Sequence, residues 1–235
     1  MERQFEIHLG KLRTRIIKMS SLVEEQMELA IRAVNEENLE LTNIIIEREE
    51  KINKLDRKIE RTCQKIIALS QPVAIDLRLV LSALTINTNL ERLGDLAKNI
   101  ARSLQILKRK PHFLGITKFD EMSVLVKKMI KDAIDSFNNN DAELAKKVIE
   151  ADIKLDALFA ENRKIIIQIM KNDSNDIDEA LSLLEISRHL ERAGDHSTNI
   201  AEDVYFIVEA QLIKHRYEKY IYSEMYQDEI DDEDE

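Results

Sequence analysis

Helix-breaking residues are scarce in this chain, which has 4 Gly and 2 Pro among 235 residues and no Trp. Because Gly and Pro dominate turns, so few of them argue against a chain built from many short elements. Charged residues instead make up 34% of the chain and hydrophobic residues 44%. This composition predicts long helices with polar outer faces and a packed core, in one large domain or two small ones.

Cysteine is equally scarce. Cys63 is the single cysteine, which excludes an intrachain disulfide. It lies among isoleucines at helical spacing, which favours a core residue over a nucleophile. The first residues lack the apolar stretch of a signal peptide, and aliphatic runs such as Ile165–Ile167 are too short to cross a bilayer. The sequence therefore predicts a cytoplasmic protein.

Basic residues are missing from the end of the chain. Residues 223–235 contain eight acids and no Lys or Arg, which accounts for most of the formal net charge of -10 and leaves -2 for the rest. A nearly neutral folded part gives no indication of a basic nucleic-acid-binding surface, so we expect no nucleic-acid partner. The acidic segment itself is predicted to be a disordered, solubilising tail.

Helical periodicity runs through almost the whole chain and predicts six helices. The first four helices have approximate limits at residues 3–34, 39–69, 73–108 and 120–137. The fifth helix begins after Asp141, its predicted N-cap, and ends at residues 171–174. The sixth helix runs from about residue 176 into the 210s. Gln71-Pro72 interrupts the pattern, and we place this Pro near the first turn of the third helix. Because the loops are short, sequential helices are expected to be antiparallel neighbours.

A long-range repeat divides the helices into two sets of three. The segment Leu-Glu-Arg-Leu-Gly-Asp at 90–95, followed by Asn-Ile-Ala at 99–101, returns as Leu-Glu-Arg-Ala-Gly-Asp at 190–195, followed by Asn-Ile-Ala at 199–201. Earlier helices match at an offset of 103, as Met19 does with Met122. The repeat predicts an all-α fold of two tandem three-helix bundles. We assign residues 1–110 to the first bundle, 111–118 to a linker, 119–222 to the second bundle and 223–235 to the tail.

The repeated segment carries a pair of acids on one helix face. Glu91 and Asp95 are four residues apart, as are Glu191 and Asp195, and residues at this spacing can converge on one ligand. The apolar seam of each helix runs through other positions, such as Leu90 and Leu190. The helix phase therefore predicts that all four acids point away from the core.

The middle helix of each half supplies a second set of polar side chains. Asp152 and Asp156 are four residues apart, and their repeat counterparts are Glu49 and Asn53. If the middle and last helices are adjacent, the second half brings four carboxylates together and the first half brings three. Clustered carboxylates repel one another and persist where a cation neutralises them, so we weigh a metal site at each cluster.

Two alternatives stay open at this point. Acids four residues apart also occur on ordinary solvated helix faces paired with Lys or Arg, as in a purely structural helical adaptor. A metal-carboxylate bundle enzyme is the second alternative, although no Glu-x-x-His pattern, phosphate loop or nucleophile elbow is present.

Gly94 and Gly194 each lie between the two acids of a repeated segment. Gly inside a helix costs about 1 kcal/mol, so its use at both positions suggests close approach of another helix or of a ligand. A role in helix packing alone explains the two glycines equally well.

The repeated segments resemble the PhoU family, and the resemblance covers about residues 5–212. Its most specific parts are Gln-Pro-Val-Ala-Ile-Asp-Leu-Arg at 71–78, the segment at 90–101, and the second Leu-Glu-Arg-x-Gly-Asp with its Asn-Ile-Ala. The resemblance implies a non-enzymatic regulator of phosphate uptake that represses the phosphate-starvation response. It also implies partners, namely the ATPase of the phosphate ABC transporter and the sensor histidine kinase, and a homodimer that reaches the membrane only through these partners.

The resemblance further implies metal ions, as iron or zinc clusters on paired acidic motifs. The residues that match these motifs are Glu49, Glu91, Asp95, Asp152, Asp156, Glu191 and Asp195. Asn53 replaces the acid that the motif has at its position. Because a neutral amide supplies less charge, we expect weaker metal occupancy in the first half.

Overall fold

The computed structural model describes residues 2–213, with side chains from residue 4 onward. The predicted acidic tail at 223–235 lies outside the described residues. Within the described range the fold has six α-helices and two short 3₁₀ turns, and no strand. The helices are α1 (Glu2–Glu36), α2 (Leu39–Ser70), α3 (Ala74–Leu107), α4 (Phe119–Asn139), α5 (Ala142–Asn172) and α6 (Ile177–Glu209). The all-α prediction is confirmed.

Local signals explain most of the helix limits. Asp141 caps α5 as predicted, because its side chain accepts a hydrogen bond of 2.9 Å from the backbone N–H of Leu144. Asn38 caps α2 in the same way. Pro72 lies outside α3 rather than in its first turn, since the helix begins at Ala74. Helix α6 ends at Glu209 and not in the 210s, because Ala210 turns the backbone into the left-handed region with φ of 56°.

The core of each bundle follows the predicted seams. On α3 the predicted seam positions 79, 83, 86, 90, 93, 97, 100 and 104 are buried, and the last one, Leu107, is partly buried. On α6 the predicted positions 183, 186, 190, 193, 197, 200, 204 and 207 are all buried. Cys63 is fully buried, and burial raises the pKa of its thiol to about 12. Cys63 is therefore a core residue, as its isoleucine surroundings predicted. None of the described helices combines the length and the apolar character that a bilayer crossing needs.

The two bundles pack together along α3 and α6, with a smaller contact between α1 and α4. Polar side chains form hydrogen bonds across the contact of α3 with α6. Thr85 donates a hydrogen bond of 2.6 Å to Asp203, and a ring nitrogen of His196 lies 2.9 Å from the Asn89 amide oxygen, which Asn199 also reaches at 3.4 Å. The start of α3 therefore lies beside the end of α6, so the two helices are antiparallel. The other sides of α3 and α6 pack against the remaining helices of their own bundles.

Two candidate acidic sites

The second half brings its acids together between α5 and α6, and we call Asp152, Asp156, Glu191 and Asp195 the second cluster. Gly194 makes the close approach of the helices possible, since a Cβ atom at that position would lie 2.2 Å from a methyl group of Leu155 and 3.3 Å from Oδ1 of Asp152. The mid-helix glycine thus serves helix packing directly beside an acidic side chain.

The electrostatics of the second cluster show that its carboxylates face one another. Burial raises the pKa of Asp152 to about 7, and the neighbouring carboxylates of Asp156, Asp195 and Glu191 add to this increase. Burial, followed by Asp195 and Asp156, raises the pKa of Glu191. Oδ1 of Asp152 is buried and has no hydrogen-bond donor. Negative charge therefore accumulates between α5 and α6, and the Arg188 and Arg192 guanidinium groups offset it only in part.

The first half brings together Glu49 from α2 and Glu91 and Asp95 from α3, which we call the first cluster. Glu49 is only 5% exposed. Gln26 donates hydrogen bonds from Nε2 to the Glu49 carboxylate at 3.2 Å and to the Gly94 carbonyl at 3.1 Å. Burial raises the pKa of Glu49, and the nearby Lys98 ammonium opposes that increase.

Two basic side chains lie among the acids of the first cluster. The Lys98 ammonium is 2.5 Å from a carboxylate oxygen of Asp95 and 3.6 Å from one of Glu49. The Arg92 guanidinium is 3.6 Å from Glu91 and 3.7 Å from Asp95. By contrast, within residues 4–213 no acid of the second cluster forms a salt bridge.

The predicted orientation of the acids needs correction. Glu91 and Asp95 avoid the apolar seam, as expected, but their side chains are only 24% and 28% exposed. They lie against the middle helix instead of pointing freely into solvent, and Glu191 is likewise half-buried. The prediction treated each helix alone, whereas a neighbouring helix covers part of the polar face. Among the seven acids predicted as metal ligands, only Asp156 and Asp195 are exposed.

Sequence reasoning missed one acid near the first cluster. Asp56 lies seven residues after Glu49, two helical turns along the same face of α2. Its charge raises the pKa of Glu91, and its own carboxylate accepts a hydrogen bond of 2.6 Å from Asn87. The spacing of seven residues is the sequence signal that relates Asp56 to Glu49, and a pattern of acids four residues apart does not include it.

The donor set of the second cluster fits a cation better than that of the first. It offers four carboxylates, one of them with a buried oxygen that lacks a donor, and oxygen donors of this kind suit hard and borderline metal ions. In the first cluster, ammonium and guanidinium groups already supply positive charge. As the side chains stand, no three acids, histidines or cysteines of the described residues converge tightly enough to hold a metal ion.

Comparison with known proteins agrees with this architecture. A family model described as PhoU domain matches residues 16–104 and again residues 119–204. The phosphate-specific transport system accessory protein PhoU homolog of Aquifex aeolicus (strain VF5) is 36% identical over 211 residues, which span 90% of this chain and 96% of the relative. The homolog of the same name from Zymomonas mobilis is 35% identical, over 91% of this chain and 90% of the relative.

Solved structures have the same fold. The crystal structure of PhoU from Pseudomonas aeruginosa superposes with a TM-score of 0.86 at 32% identity, covering 88% of this chain and all of that one. The phosphate transport system regulatory protein PhoU from Streptococcus pneumoniae superposes with a TM-score of 0.82 at 29% identity, covering 89% of this chain and 99% of that one. With both halves matched by the family model, this chain belongs to the PhoU family.

Proposed function

We propose that this chain is a cytoplasmic, non-enzymatic regulator of phosphate uptake that represses the phosphate-starvation response. The observation that carries the proposal is the agreement with PhoU proteins across both helical halves, at a TM-score of 0.86. Those relatives are named as accessory or regulatory proteins of phosphate transport. The fold also suits this role, since six long helices offer extended faces for partner proteins.

Deletion of the gene tests the regulatory role. In high phosphate, we expect the deletion strain to express phosphate-starvation genes that the parent strain represses. A copy of the gene on a plasmid should restore repression. A reporter fused to a starvation-induced promoter measures the effect. Unchanged reporter activity in the deletion strain would contradict the regulatory role.

The proposed partners are the ATPase of the phosphate ABC transporter and the sensor histidine kinase, with a homodimer as the assembly that meets them. The relatives' names as transport-system accessory proteins support contact with the transport machinery. Co-purification of each tagged partner with this chain from cells grown in high phosphate measures the contact. We expect both partners to retain the chain, and recovery equal to that of an untagged control would contradict the proposal.

We further propose that the second cluster binds a metal ion, iron or zinc, through Asp152, Asp156, Glu191 and Asp195. The buried, donorless oxygen of Asp152 and the mutual repulsion of the carboxylates support this. A bound cation would neutralise the cluster and hold α5 against α6. Glu49, Glu91 and Asp95 form the weaker set of ligands, because basic side chains already neutralise them.

Elemental analysis of protein purified without chelator tests the metal site. We expect metal in the parent and little or none in the E191A/D195A double variant, because the loss of two carboxylates weakens metal affinity by about tenfold or more. The matched control is E24A/E28A, which removes two acids at the same spacing from α1. No metal in the parent, or equal metal in all three proteins, would contradict the site.

A further inference from the structure

The two clusters differ at matching positions of the repeat. Lys98 on α3 corresponds to Thr198 on α6 at the offset of 100, and Gln26 on α1 corresponds to Met129 on α4 at the offset of 103. At both positions the first half has a side chain that donates hydrogen bonds to carboxylates. The second half has a neutral hydroxyl and a thioether there.

In the first cluster, these donors are directed at the buried acid. The Lys98 side chain is only 17% exposed and lies between Glu49 and Asp95, 3.6 Å from one carboxylate and 2.5 Å from the other. Gln26 is fully buried and donates to the other carboxylate oxygen of Glu49. The ammonium therefore occupies the space between the acids contributed by the two helices.

In the second cluster, the positions that match Lys98 and Gln26 carry neither a positive charge nor an amide donor. Arg188 and Arg192 act on Glu191 at longer range, without a salt bridge among the described residues. The Met129 methyl group would lie 3.5 Å from a Cβ at Gly194, so an apolar group takes the place of the Gln26 amide. The Thr198 hydroxyl is the one group near Asp152 that favours its ionised form, against burial and three carboxylates that oppose it. The first cluster thus contains an ammonium group between its carboxylates, whereas the second cluster has a neutral hydroxyl at the matching position.

We propose that Lys98 is the built-in cation of the first cluster and excludes a metal ion from it, so that the chain binds metal in its second half alone. The inference rests on the metal site proposed above. A divalent ion entering the first cluster would have to displace the ammonium from Asp95 or lie within a few ångströms of it, and like charges at that distance repel strongly in a half-buried site.

Exchange of the side chains at the matching positions 98 and 198 tests the proposal. The proteins are the parent, K98T, T198K and the charge-retaining control K98R, each stripped with chelator, mixed with Zn²⁺, desalted and analysed for zinc per chain. We expect K98T to bind about twice as much zinc as the parent, because the ammonium between Glu49 and Asp95 is then absent. Arg92 remains, but it has a counterpart in Arg192 beside the second cluster, so it does not distinguish the two halves. T198K should lose the zinc of the second cluster, and K98R should match the parent.

Thermal unfolding in chelator provides a second readout that does not depend on metal uptake. K98T should have a lower melting temperature than the parent and K98R, because Glu49 and Asp95 lose their counter-charge, and Zn²⁺ should restore the melting temperature of K98T. T198K should be more stable than the parent in chelator, since its new ammonium neutralises the second cluster.

The outcomes separate this proposal from the metal site itself. Zinc retained in E191A/D195A and lost on further removal of Glu49 would place metal in the first half and overturn the role of Lys98. The role of Lys98 would also be overturned if K98T kept the parent's melting temperature in chelator. The same conclusion would follow if K98T bound no more zinc than a parent protein whose second cluster binds zinc. If the parent binds no zinc but K98T gains it, the metal site of the second cluster fails and the exclusion by Lys98 stands. If no protein binds zinc, K98T included, both proposals are overturned.

Discussion

Asp152 is the side chain whose ionisation matters most for the second cluster. Burial and three neighbouring carboxylates raise its pKa to about 7, from the ordinary value of 3.8. Between these two pH values the folded, metal-free protein binds a proton that the unfolded chain does not bind. The stability that this proton provides is fully present below pH 3.8 and is lost as the pH rises through 7.

Replacement of this carboxylate should therefore stabilise the metal-free protein at high pH. For D152N in chelator at pH 8, we expect the free energy of unfolding to rise by about 2 kcal/mol, allowing for screening by solvent at a half-exposed site. At pH 4 the two proteins should be nearly equal. Urea unfolding at both pH values measures this, with D120N as a control at an exposed position. A D152N protein less stable than the parent at pH 8 would contradict the electrostatic account.

At the scale of elements, two glycines inside helices differ in whether another helix packs against them. Gly194 lies at the closest approach of α6 to α5, where a Cβ would overlap Leu155 at 2.2 Å. Gly10 lies in α1 with no atom within 4 Å of the position of its missing Cβ. The same substitution at the two positions therefore changes helix propensity equally but helix packing only at Gly194.

We expect G194A to lose about 1–3 kcal/mol of unfolding free energy, because α5 has to move away from α6. G10A should gain about 0.5–1 kcal/mol, because Ala favours the helix and meets no neighbour. Chemical denaturation of both variants measures the difference. Equal stability of G194A and G10A would mean that Gly194 does not set the distance between the helices.

The elements also show which features a sequence can predict. Seam positions follow from helical periodicity alone, and Asp141 follows from the chemistry of helix N-caps, so both were predicted correctly. Neither Lys98 nor Asp56 was identified, because the partners of a charged side chain depend on how neighbouring helices rotate against each other. The burial of Glu49 has the same origin, since it results from the packing of α2 against α3 and not from the pattern within α2.

At the scale of the whole molecule, the polar packing of α3 against α6 joins the two bundles. Sequence analysis predicted two bundles but not this contact, because polar residues on a helix face carry no signal for a distant partner. Asn89 is central to it, since its amide oxygen is shared by His196 and Asn199. Burial, together with Arg192 and Arg92, lowers the pKa of His196, which favours the neutral ring at this junction.

Loss of the shared acceptor should weaken the junction between the bundles. We expect N89A to lose about 1–2 kcal/mol of unfolding free energy, because His196 and Asn199 lose a partly buried hydrogen-bond partner. N138A, at an exposed position near the end of α4, should change stability by less than about 0.5 kcal/mol. Denaturant unfolding of the two variants provides the comparison, and equal stabilities would show that the junction does not depend on Asn89.

We propose that repression of the phosphate-starvation response by this chain requires an intact second cluster. Reporter activity in a deletion strain carrying E191A/D195A on a plasmid, grown in high phosphate, tests it most directly. The account predicts that this variant leaves the reporter active, whereas the parent chain and E24A/E28A silence it at equal protein levels. Full silencing by E191A/D195A would contradict the claim.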